Sequence, residues 1–338
     1  MARVGVGVSA PGSISTALQE RLRCPACGGR LSPGRSERGE TLRCEGPACG
    51  HSYPVVGGVP VLVDERKSLF DPERTAAAMR AAGGAAGGAT ERGSGPARAL
   101  VHALTPALSR NVKGEANFAR LAGLLAGRPS PRVLVVGGGI RGAGFGPLLA
   151  TPGLDLLQTD VGPGPHTALI CDAHDLPFEA GSFDAVVAQA VLEHVLDPWR
   201  CVEELHRVLA PGGLVYAETP FMQQVHEGRF DFTRFTHLGH RRLFRRFEEL
   251  DSGAVGGPGM ALAWSWRYFL WSFARGPLSG SLLTTFASFT SFFLKAFDGP
   301  LIDRPRALDA AAGVYFLGRR SETTLSDREL VASYRGAG

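Results

Sequence analysis

The sequence predicts an α/β protein with an open, mainly parallel sheet, a small cysteine-rich module before it and an apolar helical segment inserted late in the chain. Three observations predict this class. A buried apolar strand, residues 133–136, runs directly into the glycines of residues 137–142. Short apolar strands and helix-like patterns then alternate, which is typical of a parallel sheet covered by helices. Two pairs of closely spaced cysteines lie upstream, between Cys24 and Cys49.

The composition fits a globular chain and disfavours some functions. The 338 residues are 44% hydrophobic, enough for a sizeable core, and the formal net charge is only +4. The densest basic patch is His240-Arg241-Arg242 with Arg245 and Arg246, so charge does not favour a nucleic-acid partner. Residues 1–20 lack a charged segment followed by an apolar one, which predicts a cytoplasmic protein. In a reducing compartment, paired cysteines favour metal binding over disulfides.

The cysteine-rich module, residues 20–65, contains the candidate metal ligands. Cys24 and Cys27 form a C-x2-C pair, and Cys44 and Cys49 form a C-x4-C pair, each beside glycine. Thiolates from two such turns can converge on one tetrahedral Zn²⁺ ion. His51 is the alternative to Cys49 if the second turn is distorted. A closed four-cysteine site leaves no open position for a substrate, so we expect a structural role.

The module ends in Tyr53-Pro54-Val55 and then Gly58-Val59-Pro60-Val61-Leu62. With its cysteine pairs, it resembles small zinc-ribbon proteins that act as activator subunits of methyltransferases. The resemblance implies a folding and docking module without chemistry of its own. Residues 66–96 include an Ala/Gly-rich run and predict a flexible tether.

The main domain is expected over residues 97–320, with residues 321–338 as a C-terminal tail. Its strands are predicted at residues 133–136, 154–159, 169–173, 185–188, 214–218, 247–255 and 313–318. Asp160 follows the glycine turn by about 20 residues, where a carboxylate can bind the hydroxyls of a ribose. Asp172 is a second acid at the end of the third strand. A glycine turn and an acid alone do not separate NAD from S-adenosylmethionine.

The residues after Asp160 make that separation. In order, they are Asp172-Ala173, Leu176-Pro177-Phe178, Phe183-Asp184, Leu192-Glu193-His194, Arg207-Val208-Leu209 and Pro211-Gly212-Gly213. This order closely resembles class I S-adenosylmethionine-dependent methyltransferases over residues 133–220. The resemblance implies a Rossmann-like sheet of seven strands with an antiparallel seventh strand.

The resemblance also implies the cofactor contacts. The glycines would line the methionine part, the first acid would bind the ribose, and the second acid with its neighbour would meet the adenine. The residues so assigned are Gly137, Gly138, Gly139, Asp160, Asp172, Ala173 and Gln189, the last beside the methionine part or the nucleophile. Two residues depart from the family: Val135 replaces an acid that helps bind the methionine amino group, and Arg141 replaces a third glycine. The loop between Asp160 and Asp172 is also short and rich in proline.

Candidate catalytic residues cluster after the fifth predicted strand. Methyl transfer depends mainly on in-line positioning and needs a base only where the nucleophile arrives protonated. We assign this role to His226, His194, Asp231 and His237, and acceptor contacts to Arg234 and Phe235. For His194, which belongs to the Leu-Glu-His motif, a structural role is the alternative.

An insert, residues 258–308, separates the sixth and seventh predicted strands, which a short hairpin joins in the family. It contains two apolar helix-like segments, residues 261–273 and 282–297. Neither meets the usual criterion for a transmembrane helix. We favour a lid or hydrophobic wall at a substrate pocket. A homodimer face, or membrane association through surface contact of residues 261–297, is the alternative.

Three functions follow from these patterns. The favoured one is S-adenosylmethionine-dependent methyl transfer to a small or amphiphilic acceptor, such as a sugar, a polyketide or a lipid-like metabolite. An RNA methyltransferase that uses the ribbon and residues 241–246 is the second. It is disfavoured because Gln189-Ala190-Val191-Leu192 stands where base-amine methylating enzymes carry N/D-P-P-Y/F. The third is a cofactor-binding scaffold without turnover, which Val135 keeps open.

Overall fold

The structure, a computed structural model, describes residues 14–81 and 105–337. The strands over these residues are β1 (Leu31–Ser36), β2 (Gly39–Cys44), β3 (Ser52–Val56), β4 (Val59–Leu62), β5 (Arg132–Val136), β6 (Asp155–Asp160), β7 (Leu169–Cys171), β8 (Phe183–Gln189), β9 (Leu209–Pro220), β10 (Phe247–Gly256) and β11 (Gly313–Arg320). They form one sheet in the order β1-β2-β3-β4-β7-β6-β5-β8-β9-β11-β10. The fold is therefore α/β with a mixed sheet.

Helices connect these strands. They are α1 (Thr16–Gln19), α2 (Pro72–Ala81), α3 (Gly114–Leu125), α4 (Gly146–Leu149), α5 (Pro198–Val208), α6 (His237–Leu243), α7 (Pro258–Trp271), α8 (Pro277–Ser291), α9 (Asp298–Leu301), α10 (Pro305–Asp309) and α11 (Asp327–Ala332). Short 3-10 helices occur at Gly228–Phe230 and Phe292–Ala296. None of the helices in the described ranges combines the length and apolar character needed to cross a membrane.

The centre of the sheet is parallel and covered on both faces. β5 pairs in parallel with β6 and with β8. Along β5, Leu134 and Val136 pack into one core and Val133 and Val135 into the other. Because both faces are buried, the strand sequence is a continuous apolar run rather than an alternating one.

The sheet has eleven strands, whereas the sequence predicts seven in the main domain. The additional strands belong to the cysteine-rich module. β4 pairs in parallel with β7, through Val61 opposite Ile170 and Leu62 opposite Cys171. Without β4, β7 would be an edge strand with unpaired backbone groups, a known liability for sheets. The module therefore continues the main sheet instead of forming a separate body.

The predicted tether, residues 66–96, is partly a folded element. α2 lies inside it, and Ala76 and Met79 are fully buried in a cluster with Val61 and Ile170. Alanine favours helix, and these two side chains share one face of it, so the segment packs on the junction of β4 and β7. The part of the predicted tether after residue 81 lies outside the described residues.

The predicted tail, residues 321–338, is also folded over its described part. Arg245 donates to the Leu325 carbonyl at 2.7 Å, Leu330 is buried, and Arg335 donates to the Ser252 carbonyl at 2.9 Å. Arg241 is buried as well, donating to the Phe244 carbonyl at 2.8 Å. Arg241 is thus a structural cation within the basic patch.

The insert between β10 and β11 is helical. β11 pairs antiparallel with both β9 and β10. Buried Asp298 accepts hydrogen bonds from the backbone amides of Gly259 and Met260 at the first turn of α7, which fixes where that helix begins. Trp266 of α7 donates to Thr290 of α8 at 2.9 Å. Many apolar side chains remain exposed, namely Leu262, Phe269, Trp271, Phe273, Leu278, Leu282, Phe286, Phe289, Phe292, Phe293 and Phe297.

Candidate functional site

The four predicted metal ligands converge. The sulfur atoms of Cys24, Cys27, Cys44 and Cys49 all lie within 4.8 Å of one another. The distance from Cys24 to Cys49 is 3.7 Å, and that from Cys27 to Cys44 is 3.4 Å. Four sulfurs around a tetrahedral ion with bonds of about 2.3 Å would stand about 3.8 Å apart. The cluster therefore has the size that a Zn²⁺ ion requires.

The surroundings of the cluster are built for negatively charged sulfur. The backbone amides of Gly29 and Gly46 donate to the sulfurs of Cys27 and Cys44 at 3.4 and 3.3 Å. A Cβ at Gly29 would lie 3.0 Å from the Cys44 sulfur, so a larger residue would crowd the cluster. His51 contacts the Cys49 sulfur at 3.2 Å through Nδ1.

A cavity of about 860 Å³, here called the sheet-edge cavity, opens at the carboxyl ends of β5, β6 and β7. Its sheet side includes Val136, Gly137, Asp160, Asp172 and Ala173, and its opposite wall includes Arg66, Lys67, Ser68, Leu69 and Phe70. In open α/β sheets, ligands bind where the strand order reverses beside the first strand, and this cavity has that position. Residues 66–70, directly after the ribbon, carried no sequence signal for a site.

Gly137 lines the cavity at a position where only glycine fits. Its φ is +66°, and a Cβ there would lie 2.3 Å from a methyl group of Val191. Both facts exclude a side chain, so bare backbone faces the cavity. Gly138 and Gly139 were assigned to the same ligand, but they are not among the residues that line the cavity.

The two predicted acids have different surroundings. Asp160 accepts hydrogen bonds from the backbone amides of Gly139 and Val161, at 3.0 and 2.8 Å, so it also holds the glycine turn in place. Asp172 accepts from the Ser68 hydroxyl at 2.5 Å and from His174 Nδ1 at 2.6 Å. Burial favours a higher pKa for Asp172, but the hydrogen bonds from His174 and Ser68 outweigh it and lower the pKa. Asp172 is therefore an anion at neutral pH.

Gln189 was expected beside the ligand, but its amide points elsewhere. It donates to Glu218 at 2.9 Å and to the Ala143 carbonyl at 3.1 Å. Glu218, at the end of β9, is buried and also accepts from Tyr216 and Asn111. The pKa of Glu218 is raised because burial outweighs these hydrogen bonds. An acid in an otherwise apolar strand was the sequence signal for this network, and it was missed.

The two departures from the family pattern have a structural explanation. Val135 is buried in the core, where the packing suits an apolar side chain. Arg141 donates to Gln158 Oε1 at 2.6 Å and 3.0 Å, and Gln158 in turn donates to the Gly138 carbonyl at 2.8 Å. Arg141 thus braces the glycine turn from outside.

Three of the predicted catalytic residues meet between two cavities. His194 lines the sheet-edge cavity, and His226 lines a second cavity of about 1200 Å³ that is walled by α7 and α8, here called the insert cavity. The ring centroids of His194 and His226 are 5.0 Å apart. Burial lowers the pKa of His194 below its usual value. Asp231 accepts from the His226 backbone amide at 2.9 Å.

Asp231 and Arg234 form an ion pair, here called the loop clamp, within the loop between β9 and α6. Arg234 donates to Asp231 Oδ2 at 2.7 Å, to a second oxygen of the same carboxylate, and to the Gln223 carbonyl at 2.8 Å. Burial works against ionisation of Asp231, yet the contact with Arg234 lowers its pKa to about 2. Asp231 is therefore an ionised anchor rather than a proton acceptor, and Arg234 has its donors engaged within the loop.

His237 and Phe235 lie away from both cavities. His237 is buried and hydrogen-bonds Ser252 of β10 at 2.8 Å, and burial lowers its pKa to about 4. Phe235 is buried in the main core beside Trp199. The structure gives both residues packing contacts: His237, the first residue of α6, contacts β10, and Phe235, which precedes α6, lies in the core.

Comparison with known proteins supports the predicted methyltransferase domain. Residues 150–217 match the family model described as a methyltransferase domain. A demethylmenaquinone methyltransferase from Clavibacter sepedonicus is 50% identical over 44 residues, which cover 13% of this chain and 18% of that protein. An uncharacterized methyltransferase from Mycobacterium sp. (strain KMS) is 54% identical over 39 residues, 12% of this chain and 16% of that protein. The chain thus spans less than a fifth of these curated relatives.

Solved structures with a similar arrangement also carry methyltransferase names. Phosphoethanolamine N-methyltransferase 2 from Haemonchus contortus has 17% identity and a TM-score of 0.39, covering 61% of this chain and 53% of that one. Geranyl diphosphate C-methyltransferase from Streptomyces coelicolor A3(2) has 14% identity and a TM-score of 0.39, covering 68% and 94%. The prediction of a methyltransferase domain is confirmed by the family match at residues 150–217.

Proposed function

We propose that this chain is an S-adenosylmethionine-dependent methyltransferase for a small or amphiphilic acceptor, with a structural Zn²⁺ ion in its ribbon. The observation that carries the proposal is the sheet-edge cavity, in which Gly137, Asp160 and Asp172 stand at successive strand ends. This cavity includes part of the segment that matches a methyltransferase domain. A second cavity adjoins it through the His194–His226 pair.

The residues present fit the cofactor. Gly137 offers backbone without a side chain, as close approach of a ligand requires. Asp160 offers carboxylate oxygens for a ribose diol. Asp172, an anion, is an acceptor for an exocyclic amine. Once bound, the cofactor would supply an electrophilic methyl group on a sulfonium.

The insert cavity is the proposed acceptor site. Its lining mixes aromatic side chains, such as Tyr268 and Trp271, with hydroxyl groups such as Ser281 and Thr284. That mixture suits an amphiphilic molecule. The insert is tied to the loop after β9, because Tyr268 donates to the Val225 carbonyl and Gln224 donates to Ser265 at 3.1 Å. Of the three predicted roles, we therefore retain that of a substrate wall.

This wall can be tested with a matched pair of aromatic residues. Trp271 lines the insert cavity, whereas Phe273, two residues on and also exposed, does not. We expect Trp271→Ala to raise the KM for the acceptor at least fivefold and Phe273→Ala to leave it unchanged. Equal KM values for both variants would remove the insert from the substrate site.

Zinc in the ribbon would act through folding. Four sulfur ligands leave no open coordination position. The ribbon carries β4 into the main sheet, and the segment that follows it forms a wall of the sheet-edge cavity. The ion would thus stabilise the strand and the wall without entering the reaction.

The RNA alternative is weakened. Arg241 is buried and Arg245 donates to the Leu325 carbonyl and to Asp327, so of the four arginines of the basic patch only Arg242 and Arg246 are exposed. A scaffold would bind the cofactor as an enzyme does, so only turnover distinguishes the two. The following experiment tests the RNA alternative and the scaffold alternative together.

Purified full-length chain is incubated with methyl-labelled S-adenosylmethionine and fractionated cell extract. We expect label in a small-molecule fraction, at least tenfold less with Asp172→Asn, and no change with Asp155→Asn. Asp155 lies at the opposite end of β6 from Asp160, where its carboxylate accepts a hydrogen bond from Ser15 at 2.7 Å, which makes it a matched control. Label in RNA would contradict the acceptor class, and cofactor binding without label in any fraction would favour a scaffold.

A further inference from the structure

Glu193 is a buried acid that the proposed reaction does not use. Its side chain is 0% exposed, and neither carboxylate oxygen has a hydrogen-bond partner among the described residues. Burying a carboxylate without partners is costly, so such groups are usually paired with a cation or bound to a metal. In this structure His194 Nε2 is 3.7 Å from Glu193 Oε1.

His194 and His226 are each oriented by an acceptor that lies close to one nitrogen of the ring, Nδ1. His194 Nδ1 lies 2.9 Å from the Phe230 carbonyl oxygen. His226 Nδ1 lies 3.3 Å from the Gln224 carbonyl oxygen and 3.4 Å from Asp231 Oδ2. Because carbonyls and carboxylates only accept, we assign the proton of each neutral ring to Nδ1. The lone pairs of both Nε2 atoms are then free for a ligand.

This arrangement is the one that metal-binding histidines show. A ligating histidine generally donates its other N–H to a carbonyl or a carboxylate, which fixes the ring and its tautomer. One ligand atom each from Glu193, His194 and His226 lie within 4.8 Å of one another. Ligands that share an ion stand roughly 3 to 3.5 Å apart, so shifts of a few tenths of an ångström to about 1 Å would close the set.

We propose that Glu193, His194 and His226 bind a divalent transition-metal ion between the sheet-edge cavity and the insert cavity. The side chains of His194 and His226 are 21% and 24% exposed, so an ion can enter. Two imidazoles and one carboxylate suit Fe²⁺, Mn²⁺, Co²⁺ or Zn²⁺ better than Ca²⁺ or Mg²⁺. With three protein ligands, the ion retains open positions.

The open positions suggest which acceptor the site would take, an inference that rests on the proposed function. His226 lines the insert cavity and His194 lines the sheet-edge cavity, so a ligand on the ion would stand between acceptor and methyl donor. A metal ion lowers the pKa of a bound hydroxyl. We therefore assign the site to acceptors that offer a metal-binding hydroxyl, such as a phenol or a hydroxy acid. The hydroxyl would lose its proton to solvent, its oxygen would form the bond to the methyl group, and the bond from that methyl group to the cofactor sulfur would break, leaving S-adenosylhomocysteine.

The test uses the full chain with its ribbon already zinc-loaded, titrated with Co²⁺. We expect one equivalent of Co²⁺ to give visible d–d bands without a sulfur-to-metal charge-transfer band, because the ligands are nitrogen and oxygen. Glu193→Gln and His226→Asn should each weaken Co²⁺ binding at least tenfold and keep the zinc content. His206→Asn is the control, since His206, on α5, is a histidine outside the cluster whose Nε2 bonds the Ser321 carbonyl.

Several outcomes overturn the proposal. Absence of Co²⁺ binding beyond the ribbon, a sulfur charge-transfer band, or equal binding by Glu193→Gln would each contradict it. Because Glu193→Gln is isosteric, its thermal unfolding provides a second measurement: Co²⁺ should raise the Tm of the parent protein and not that of the variant. Turnover of labelled cofactor without any dependence on the ion would contradict the metal site while leaving the methyltransferase proposal intact. Co²⁺ binding without turnover would contradict the methyltransferase proposal while leaving the metal site intact.

Discussion

Two clusters of side chains of the types that bind metals occur in the described part of this chain, and they are built differently. The cysteine cluster has four ligands, and backbone amides of Gly29 and Gly46 surround its sulfurs. The Glu193–His194–His226 cluster has three ligands, and its histidines are held by carbonyls and by Asp231. The first lies within the ribbon, at one end of the sheet. The second lies where two cavities meet.

The difference shows how ligand number and surroundings separate structure from chemistry. A closed sulfur set stabilises a fold and excludes substrate, whereas an open nitrogen and oxygen set leaves room for one. The sulfurs of the cysteine cluster accept from local backbone amides, and Cys24 also packs in the main core with Tyr53. The histidine cluster depends on the loop clamp formed by Asp231 and Arg234, and on burial of Glu193. The predictions below test these dependences, in order of decreasing effect.

The largest effect is expected from Cys24→Ser. Zinc binding to small structural sites contributes about 10–16 kcal/mol in peptides, so loss of one thiolate ligand removes a large contribution to the stability of the ribbon. We expect loss of zinc, unfolding of the ribbon and weaker binding of S-adenosylmethionine, because β4 and residues 66–70 lose their support. Metal analysis, thermal unfolding and calorimetry measure these changes. Cys201→Ala, a buried cysteine outside the cluster, should keep the zinc.

Asp231→Asn tests the clamp of the histidine cluster. The Asp231 side chain is 1% exposed and pairs with Arg234, and removal of one partner of a buried pair costs about 3–5 kcal/mol. We expect a loss of this size in urea unfolding, with zinc retained. Glu227→Gln, an exposed neighbour in the same loop, is the control and should change little. Unchanged stability of Asp231→Asn would mean that the loop does not depend on the clamp.

The pH dependence of stability tests the structural role of His237, in contrast to the histidines of the cluster. Burial, aided by Arg335, lowers the pKa of His237 to about 4, so the unfolded chain binds its proton more readily than the folded chain does. The stabilisation is complete above pH 6.5 and is lost as pH falls toward 4; at pH 5 this one group costs roughly 2 kcal/mol. Urea unfolding at pH 7.5 and 5 should show a smaller pH effect in His237→Gln. An identical pH dependence in both proteins would contradict the assignment.

Ser68→Ala gives the smallest expected effect. It removes the hydroxyl that donates to Asp172 at 2.5 Å, a hydrogen bond to a charged group worth about 1.5 kcal/mol. Affinity for S-adenosylmethionine should fall about tenfold, while Ser36→Ala, in the ribbon hairpin, should leave it unchanged. Equal affinities would mean that the ribbon side of the cavity does not contribute to binding.

The sequence predicted the features that depend on short stretches of chain. Each cysteine pair and the glycine turn span only a few residues, and each acid directly ends its strand. Local spacing alone therefore indicates their geometry. The positions that it missed depend on contacts between distant residues. Ser68 reaches Asp172 across 104 positions, and His226 comes beside Glu193 only because the loop after β9 folds back.

Other differences have the same origin. His237 was a site candidate because it follows the fifth predicted strand, and Arg241 belongs to the basic patch, but helix α6 buries both against β10. The tether was predicted to be flexible because of its Ala/Gly-rich run, and residues 321–338 were expected to be a tail after the last strand. Their helices are stabilised by a few contacts, such as Met79 on the β4–β7 junction and Leu330. Tertiary contacts of this kind override local composition.

The central claim is that the sheet-edge cavity binds S-adenosylmethionine. Calorimetric titration of the full-length chain with S-adenosylmethionine tests it most directly, with NAD as the competing ligand. We predict one site per chain, at least tenfold weaker binding in Asp172→Asn, unchanged binding in Asp155→Asn and no heat with NAD. No binding of S-adenosylmethionine, or binding of NAD in its place, would contradict the account.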